Sequence, residues 1–235
     1  MTEKLDFKKQ FRELYQPTSK PVLVDVPAIP FIMIEGAGAP QDEDYQQALS
    51  VLYTLTFTIK MSKLQKNKPG ATGFAAGIPG YFDYTLPPLE GLWWCEDADG
   101  RRAALDFQRP RSDWRWTSLI RTPEFVTPEV FAWAVDEAAR KKPELPVERA
   151  RFEIFAEGLC VQRMHIGPYA EEAASIADML RFIERNGLVH ESGFARRHHE
   201  IYLSDPRRTA PERLKTVLRL PVARAGQEGG TAPCC

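Results

Sequence analysis

Apolar and polar positions follow the same order in two separate stretches of the chain. "IPFIMIEGAGAPQDEDYQQALSVLYTLTFTIK" reads as a strand, a Gly-rich turn and a helix, and "GLCVQRMHIGPYAEEAASIADMLRFIERNG" reads the same way much later. Setting Glu35 against His165 also sets Leu49 against Met179 and Leu52 against Phe182, all on helix faces. Both helices begin acidic, as the positive end of a helix dipole favours, and Gly187 stands where a left-handed cap closes the second. The segments that follow correspond too. "LEGLWWCED", a loop and "WRWTSLIRTP" parallel "HHEIYLSDP", a shorter loop and "LKTVLRLP", each a strand, a turn and a returning strand that ends in proline.

Two further helices are predicted. "KLDFKKQFRELY" brings Leu5, Phe7, Phe11, Leu14 and Tyr15 together at helical spacing, and the prolines of "QPTSKPVLVDVP" end it. "VTPEVFAWAVDEAARKKP" is capped by Thr127, admits Pro128 in its first turn and stops at Pro143. The pattern predicts an α+β fold of duplicated strand–helix–strand–strand modules related by a pseudo-twofold axis. One domain spans residues 1–223, with repeat one at 22–126, an inserted helix at 127–143, repeat two at 150–223 and a flexible tail at 224–235. Modules of this kind are expected to pack through their sheets, so that the helix-free faces meet and leave a groove.

The strand "HHEIYL" points His199, Ile201 and Leu203 one way and His198, Glu200 and Tyr202 the other. If the first set packs under a helix, Glu200 looks into the groove. There a carboxylate attracts a cationic ligand or acts as a general base; at a rim it would simply pair with His198, Arg196 or Arg197. Tyr202 shares that face. Trp93 and Trp94 face opposite ways, and aligning Asp97 with Asp205 sets Trp94 opposite Tyr202, toward the groove. Trp114 and Trp116 share a face of the returning strand, Tyr84 enters from the preceding loop, and His165 and Tyr169 sit at the strand–helix turn "HIGPY". Trp133, in the inserted helix, reads as packing.

Charge and composition narrow the classes. A net charge of −1 argues against a nucleic-acid partner. No run approaches the ~20 apolar residues of a membrane span, and the N-terminus has no hydrophobic signal core, so a cytoplasmic protein is expected. Arg207, Arg208 and Lys215 read as a solvated face. Of four cysteines, Cys95 and Cys160 read as buried thiols, while Cys234 and Cys235 end a tail that is either disordered or, less in keeping with its context, a prenylation signal. No HExxH, Walker-type loop or cysteine pair at ligand spacing is present, and His198 and His199 face opposite ways, so no metal and no cofactor are expected. The base rate favours a monomer or a homodimer.

Five motifs in order, "DFKKQFRELYQPTSKPVLVDVP", "PPLEGLWW", "EGLCVQRMHIGPY", "HHEIYLSDPRR" and "LKTVLRLPV", resemble the GyrI-like small-molecule-binding family over nearly the whole chain. The resemblance is to its stand-alone branch, without the helix-turn-helix of drug-sensing regulators. It implies an aromatic-lined cleft with a buried carboxylate, open to bulky planar or cationic xenobiotics. It also implies, as a candidate activity, hydrolysis of the cyclopropane of yatakemycin-like DNA-alkylating compounds. Glu200 matches the family's pocket glutamate. In an enzyme Glu200 would activate water, and Tyr202 or Tyr169 would stabilise the developing oxyanion. Tyr84, Trp93, Trp94 and Trp116 would clamp the planar scaffold, with His165 and His198 beside it. The competing reading is a binding protein that sequesters such compounds; contact inhibition of DNA gyrase ranks last.

Overall fold

The computed structural model describes residues 4–64, 70–103, 105–106, 108–191 and 197–224. Arg196 and the tail from residue 225, with Cys234 and Cys235, lie outside the described residues. The elements in chain order are α1 (Phe7–Gln10), α2 (Arg12–Tyr15), β1 (Val22–Ala37), α3 (Glu43–Lys60), β2 (Leu89–Glu96), β3 (Arg102–Ala103) and β4 (Trp114–Arg121), then α4 (Pro128–Lys141), β5 (Arg151–Ile166), α5 (Glu172–Arg185), β6 (Leu188–His190), β7 (His198–Tyr202) and β8 (Lys215–Arg224).

Local chemistry sets the helix ends. The Thr127 hydroxyl accepts from Val130 N at 3.4 Å with Pro128 next in line, and Glu43 and Asp44 open α3. Gly187 follows α5 at φ +63°, a backbone region costly for any side chain. The expected N-terminal helix is broken at Phe11 (φ −110°, ψ 59°) into two single turns. The break leaves Phe7 and Phe11 on the Arg121 guanidinium, at 4.7 and 4.0 Å.

β1 and β5 are each 16 residues long, and that length closes the sheet. The first three quarters of β1 pair with β5, and its end turns to β4; the first three quarters of β5 pair with β1, and its end turns to β8. β2 pairs with β4 and β7, and β7 pairs with β8, so six antiparallel strands form a ring in the order β2–β4–β1–β5–β8–β7. β3 and β6 extend it beside β2 and β8. Six strands enclose room for side chains but not for helices, so α3 and α5 lie outside. α5 lays Ile176, Met179 and Ile183 on Val161, Leu218 and Leu220. α3 buries Val51, Leu52, Leu55 and Ile59 in the main core.

Closure overturns the expected groove. The helix-free faces do not meet across a cleft; they are the inside of the ring, filled by side chains and closed by α1 and α2. His199 and Ile201, expected under a helix, point inward, and Glu200 points outward to the helix-bearing side. Among the described residues, no helix is long and apolar enough to cross a membrane.

Candidate functional site

A cavity of about 1110 Å³ lies on the outer face, over β2 and β7, between α3 and the start of α5. Register sets its floor: Leu89 lies opposite Tyr202, Gly91 opposite Glu200 and Trp93 opposite His198, so these side chains share one face. Trp93 Nε1 donates to the Tyr202 hydroxyl at 2.9 Å, and that hydroxyl donates to Glu200 Oε2 at 2.9 Å. His198 Nε2 stands 3.0 Å from Glu200 Oε1 and, facing a carboxylate, is the donor. Gly91 makes the arrangement possible, because a Cβ there would sit 2.7 Å from Trp93 Nε1 and 3.0 Å from the Tyr202 hydroxyl. Tyr45 of α3 stacks on Trp93 at 5.8 Å between centroids, Trp114 meets Trp93 edge-on at 5.7 Å, and Tyr169 meets Tyr202 edge-on at 6.0 Å.

Glu172, in the first turn of α5, completes the floor. It is 4% exposed, and its Oε1 has no hydrogen-bond partner among the described residues. Burial, and then the neighbouring Glu200 charge, push its carboxyl well above the usual range against the weaker pull of Arg111, so it keeps its proton at neutral pH. Burial, with Glu172 and Glu200 adding to it, raises Tyr169 to about 12; burial and Glu200 raise Tyr202 as well, so both phenols stay protonated. Thus one carboxyl that keeps its proton and a second, Glu200, whose two oxygens meet His198 and Tyr202, face the same aromatic cavity.

A second polar set lies behind the floor, inside the ring. His199 Nδ1 is 3.0 Å from both Glu157 oxygens, and its Nε2 is 3.0 Å from Glu90 Oε2. Arg219 donates to Glu157 Oε2 at 3.1 Å, to Gln162 Oε1 at 2.9 Å and to the Leu14 carbonyl at 2.6 Å. Gln162 donates to the Glu13 carbonyl, and the Tyr15 hydroxyl donates to Glu90 at 3.2 Å. Burial lowers His199, but Glu157 and Glu90 outweigh it and raise the ring to about 9. Burial raises Glu157, but His199 and Arg219 outweigh it and hold it at about 2. These groups tie α2 into the end of the ring.

Among the residues singled out from the sequence, Glu200, Tyr202, Tyr169, Trp93 and Trp114 line the cavity, and His198 stands behind Glu200. Glu200 both lines the cavity and pairs with His198, so the two sequence readings coexist. The Tyr202 hydroxyl is not open to donate to a ligand, since it already donates its hydrogen bond to Glu200 Oε2. Trp94 is a correction: it points into the ring under the Arg197 guanidinium at 4.2 Å, because the strands pair Trp93, not Trp94, on the face of Glu200. Trp116 is fully buried beneath Tyr45, with centroids at 5.0 Å. Tyr84 is also buried, edge-on to Phe7 at 6.2 Å, with Lys60 Nζ 4.7 Å over its ring. Neither Trp116 nor Tyr84 reaches the cavity. His165 bonds Ser175 Oγ at 3.0 Å and the Pro168 carbonyl at 3.1 Å, bracing the turn into α5 beside a separate 540 Å³ hollow.

Tyr45 and Glu172 were missed. Both lie in the first turn of a helix, and the acidic helix starts read from the sequence as dipole partners contained Glu172. The buried Glu90–Glu157–His199–Arg219 set was missed because its members lie on four different strands, and the balance of charge is visible only once those strands are paired. Cys95 and Cys160 are both buried, as the apolar context of each suggested. Among the described residues, no group of three or more His, Cys, Asp or Glu side chains is placed to hold a metal.

No curated protein matches the chain. The model of the GyrI-like small-molecule-binding domain matches residues 125–223, which hold β5, α5, β7 and β8. Among solved structures, an uncharacterized conserved protein from Listeria innocua is 45% identical, with a TM-score of 0.83 over 94% of this chain and 100% of its own. A hydrolase from Listeria innocua is 44% identical, with a TM-score of 0.80 over the same shares. With Glu172, Glu200 and Tyr202 inside the matched segment and those relatives covered end to end, the chain belongs to the GyrI-like small-molecule-binding family.

Proposed function

We propose that the protein binds a bulky planar organic molecule against Trp93, Tyr45 and Trp114. It then opens a strained electrophilic ring with water, detoxifying cyclopropane-bearing DNA-alkylating compounds. The observation that carries this reading is the pair of carboxyls on the cavity floor, one holding its proton and one fixed as an acceptor. Two carboxyls in different states supply an acid and a base at one pH. The 44% identity to a chain described as a hydrolase is in keeping with it.

In the proposed step the water oxygen bonds to the ring CH₂ carbon as its C–C bond breaks, and Glu200 takes the water proton. The electron pair of the broken bond passes through the conjugated system to the carbonyl oxygen, which takes the Glu172 proton and becomes a phenol. The product is the substrate plus one water. Proton exchange with solvent on product release returns Glu200 to carboxylate and Glu172 to acid. Trp93 and Tyr202 are positioning residues for Glu200, and Tyr169 is the phenol that faces the ligand. The pairing order of the strands also supports reading 22–126 and 150–223 as duplicated modules, since each supplies a strand, a helix and two antiparallel strands.

A mass-spectrometric time course tests this, with a cyclopropane-bearing yatakemycin-type compound in large excess over wild type and over Glu200→Gln. Water-added product many times the protein concentration, collapsing in the variant, is expected. Recovery of intact compound bound one to one would instead make the protein a small-molecule sequestering module, the reading favoured by the family match alone.

A further inference from the structure

The cavity continues well past its acidic floor. Its α3 wall runs from Tyr45 to Met61, about 24 Å at 1.5 Å per residue, and its volume of about 1110 Å³ exceeds that of most drug-sized sites. Along the far half, Tyr53, Phe57 and Met61 recur every fourth residue and so share one face of the helix. They are large and apolar yet 37%, 47% and 38% exposed. Leu86 and Pro88 also line this cavity.

Cations surround the same space. Lys141 is paired with Glu137 at 2.9 Å and Arg207 with Asp205 at 3.0 Å. Lys8 of α1 and Lys142 beyond α4 also line the cavity, and among the described residues neither has a carboxylate within ion-pair distance. Lys142 Nζ donates to the Thr54 hydroxyl at 3.2 Å. An exposed apolar stripe accompanied by uncommitted ammonium groups is complementary to an apolar chain that ends in an anion.

We propose that the α3 arm of the cavity is a second subsite, which takes an apolar tail ending in a carboxylate, sulfate or phosphate. The ligand class is then an elongated acidic amphiphile whose planar head reaches Glu200. The inference rests on the reading that the Glu200 end receives a planar head. Lys8 and Lys142 select the terminus, and the Tyr53–Phe57–Met61 stripe carries the tail.

Fluorescence titration with three probes tests it: 11-(dansylamino)undecanoic acid, its methyl ester, and dansylamide, which has the head alone. At low salt the acid should bind about fivefold more tightly than the ester, as two exposed ion pairs supply, and the gap should close in 0.5 M salt. Dansylamide should bind at least about tenfold more weakly than the ester, having no tail to bury. The double substitution Lys8→Glu, Lys142→Glu should abolish the acid's advantage. Phe57→Asp should weaken acid and ester, and both variants should leave dansylamide unchanged, which also reports an intact fold. Equal binding of acid and ester while dansylamide still binds, or insensitivity of all three to Phe57→Asp, would overturn the tail subsite and leave head binding standing. Failure of all three probes to bind would overturn both.

Discussion

Replacing Glu172 by glutamine should stabilise the fold and impair the chemistry. Folding buries this carboxyl beside Glu200 and makes it hold a proton that it sheds in the unfolded chain at neutral pH, where its ordinary value is 4.5. With a folded value above 7, holding that proton at pH 7 costs 2.303RT for each of 2.5 pH units, a ceiling of about 3.4 kcal/mol. Glutamine keeps the shape and has nothing to titrate. Allowing for an amide that fits the site less well than the acid, a gain of about 2 kcal/mol is expected, or a Tm rise of about 4–8 °C for a chain of this size. The sign follows from linkage. A raised folded pKa gives a contribution fully present below 4.5 and lost as pH rises toward the folded value, so wild type falls behind the variant by up to about 1.4 kcal/mol per pH unit. Urea unfolding of both proteins at pH 4.5, 6 and 7, followed by tryptophan fluorescence, reads the difference directly. Effects of His199 and Glu157, common to both, cancel. A variant less stable than wild type at pH 7, or a difference that does not grow with pH, would refute a protonated Glu172. Loss of the acid should at the same time slow the proposed hydrolysis by about 10²–10⁴-fold.

Gly91→Ala forces a Cβ against Trp93 Nε1 and the Tyr202 hydroxyl; it should cost about 1–3 kcal/mol of stability and weaken ligand binding in calorimetry. Trp93→Phe should lower activity by freeing Tyr202 from its donor, whereas Trp94→Phe, inside the ring, should leave ligand affinity unchanged in the same titration. In wild type, the His199 contribution to stability should be full below pH 6.5 and lost as pH rises through about 9; that of Glu157 should be full above 4.5 and lost as pH falls through about 2. His199→Gln should cost about 3–5 kcal/mol by leaving Glu157 to Arg219 and Glu90 to the Tyr15 hydroxyl, and should flatten the alkaline limb of a pH–stability profile.

Period-two alternation was enough to place Glu200 and Tyr202 on one face of β7, and Thr127 with Pro128 was enough to start α4. Both are local properties of a few consecutive residues. Which face of β7 looks outward is not local. It depends on β2 meeting β7 and β1 meeting β5 to close the ring, and no single segment records those pairings. Trp94 was misplaced for the same reason, since a one-residue offset between β2 and β7 exchanges the faces of every tryptophan. Glu172 escaped notice because its role comes from the rotation of α5 relative to a strand that begins 26 residues later, at His198. The break at Phe11 escaped because helical spacing continues through it, and the Arg121 guanidinium its ring meets lies far along the chain.

His199 and Glu200 are neighbours on a five-residue strand, one anchored in the charged interior and the other forming the cavity floor. Any backbone shift that re-aims Glu200 must also drag His199 away from Glu157 and Glu90, so the acidic floor is tied to the integrity of the ring. The walls are under no such obligation. Tyr53, Phe57 and Met61 stand on the exposed side of α3, where a substitution disturbs neither strand pairing nor buried charge. New ligand preferences in this scaffold should therefore arise by repainting the walls over an unchanging floor, and a library confined to α3 should yield altered binders that remain folded.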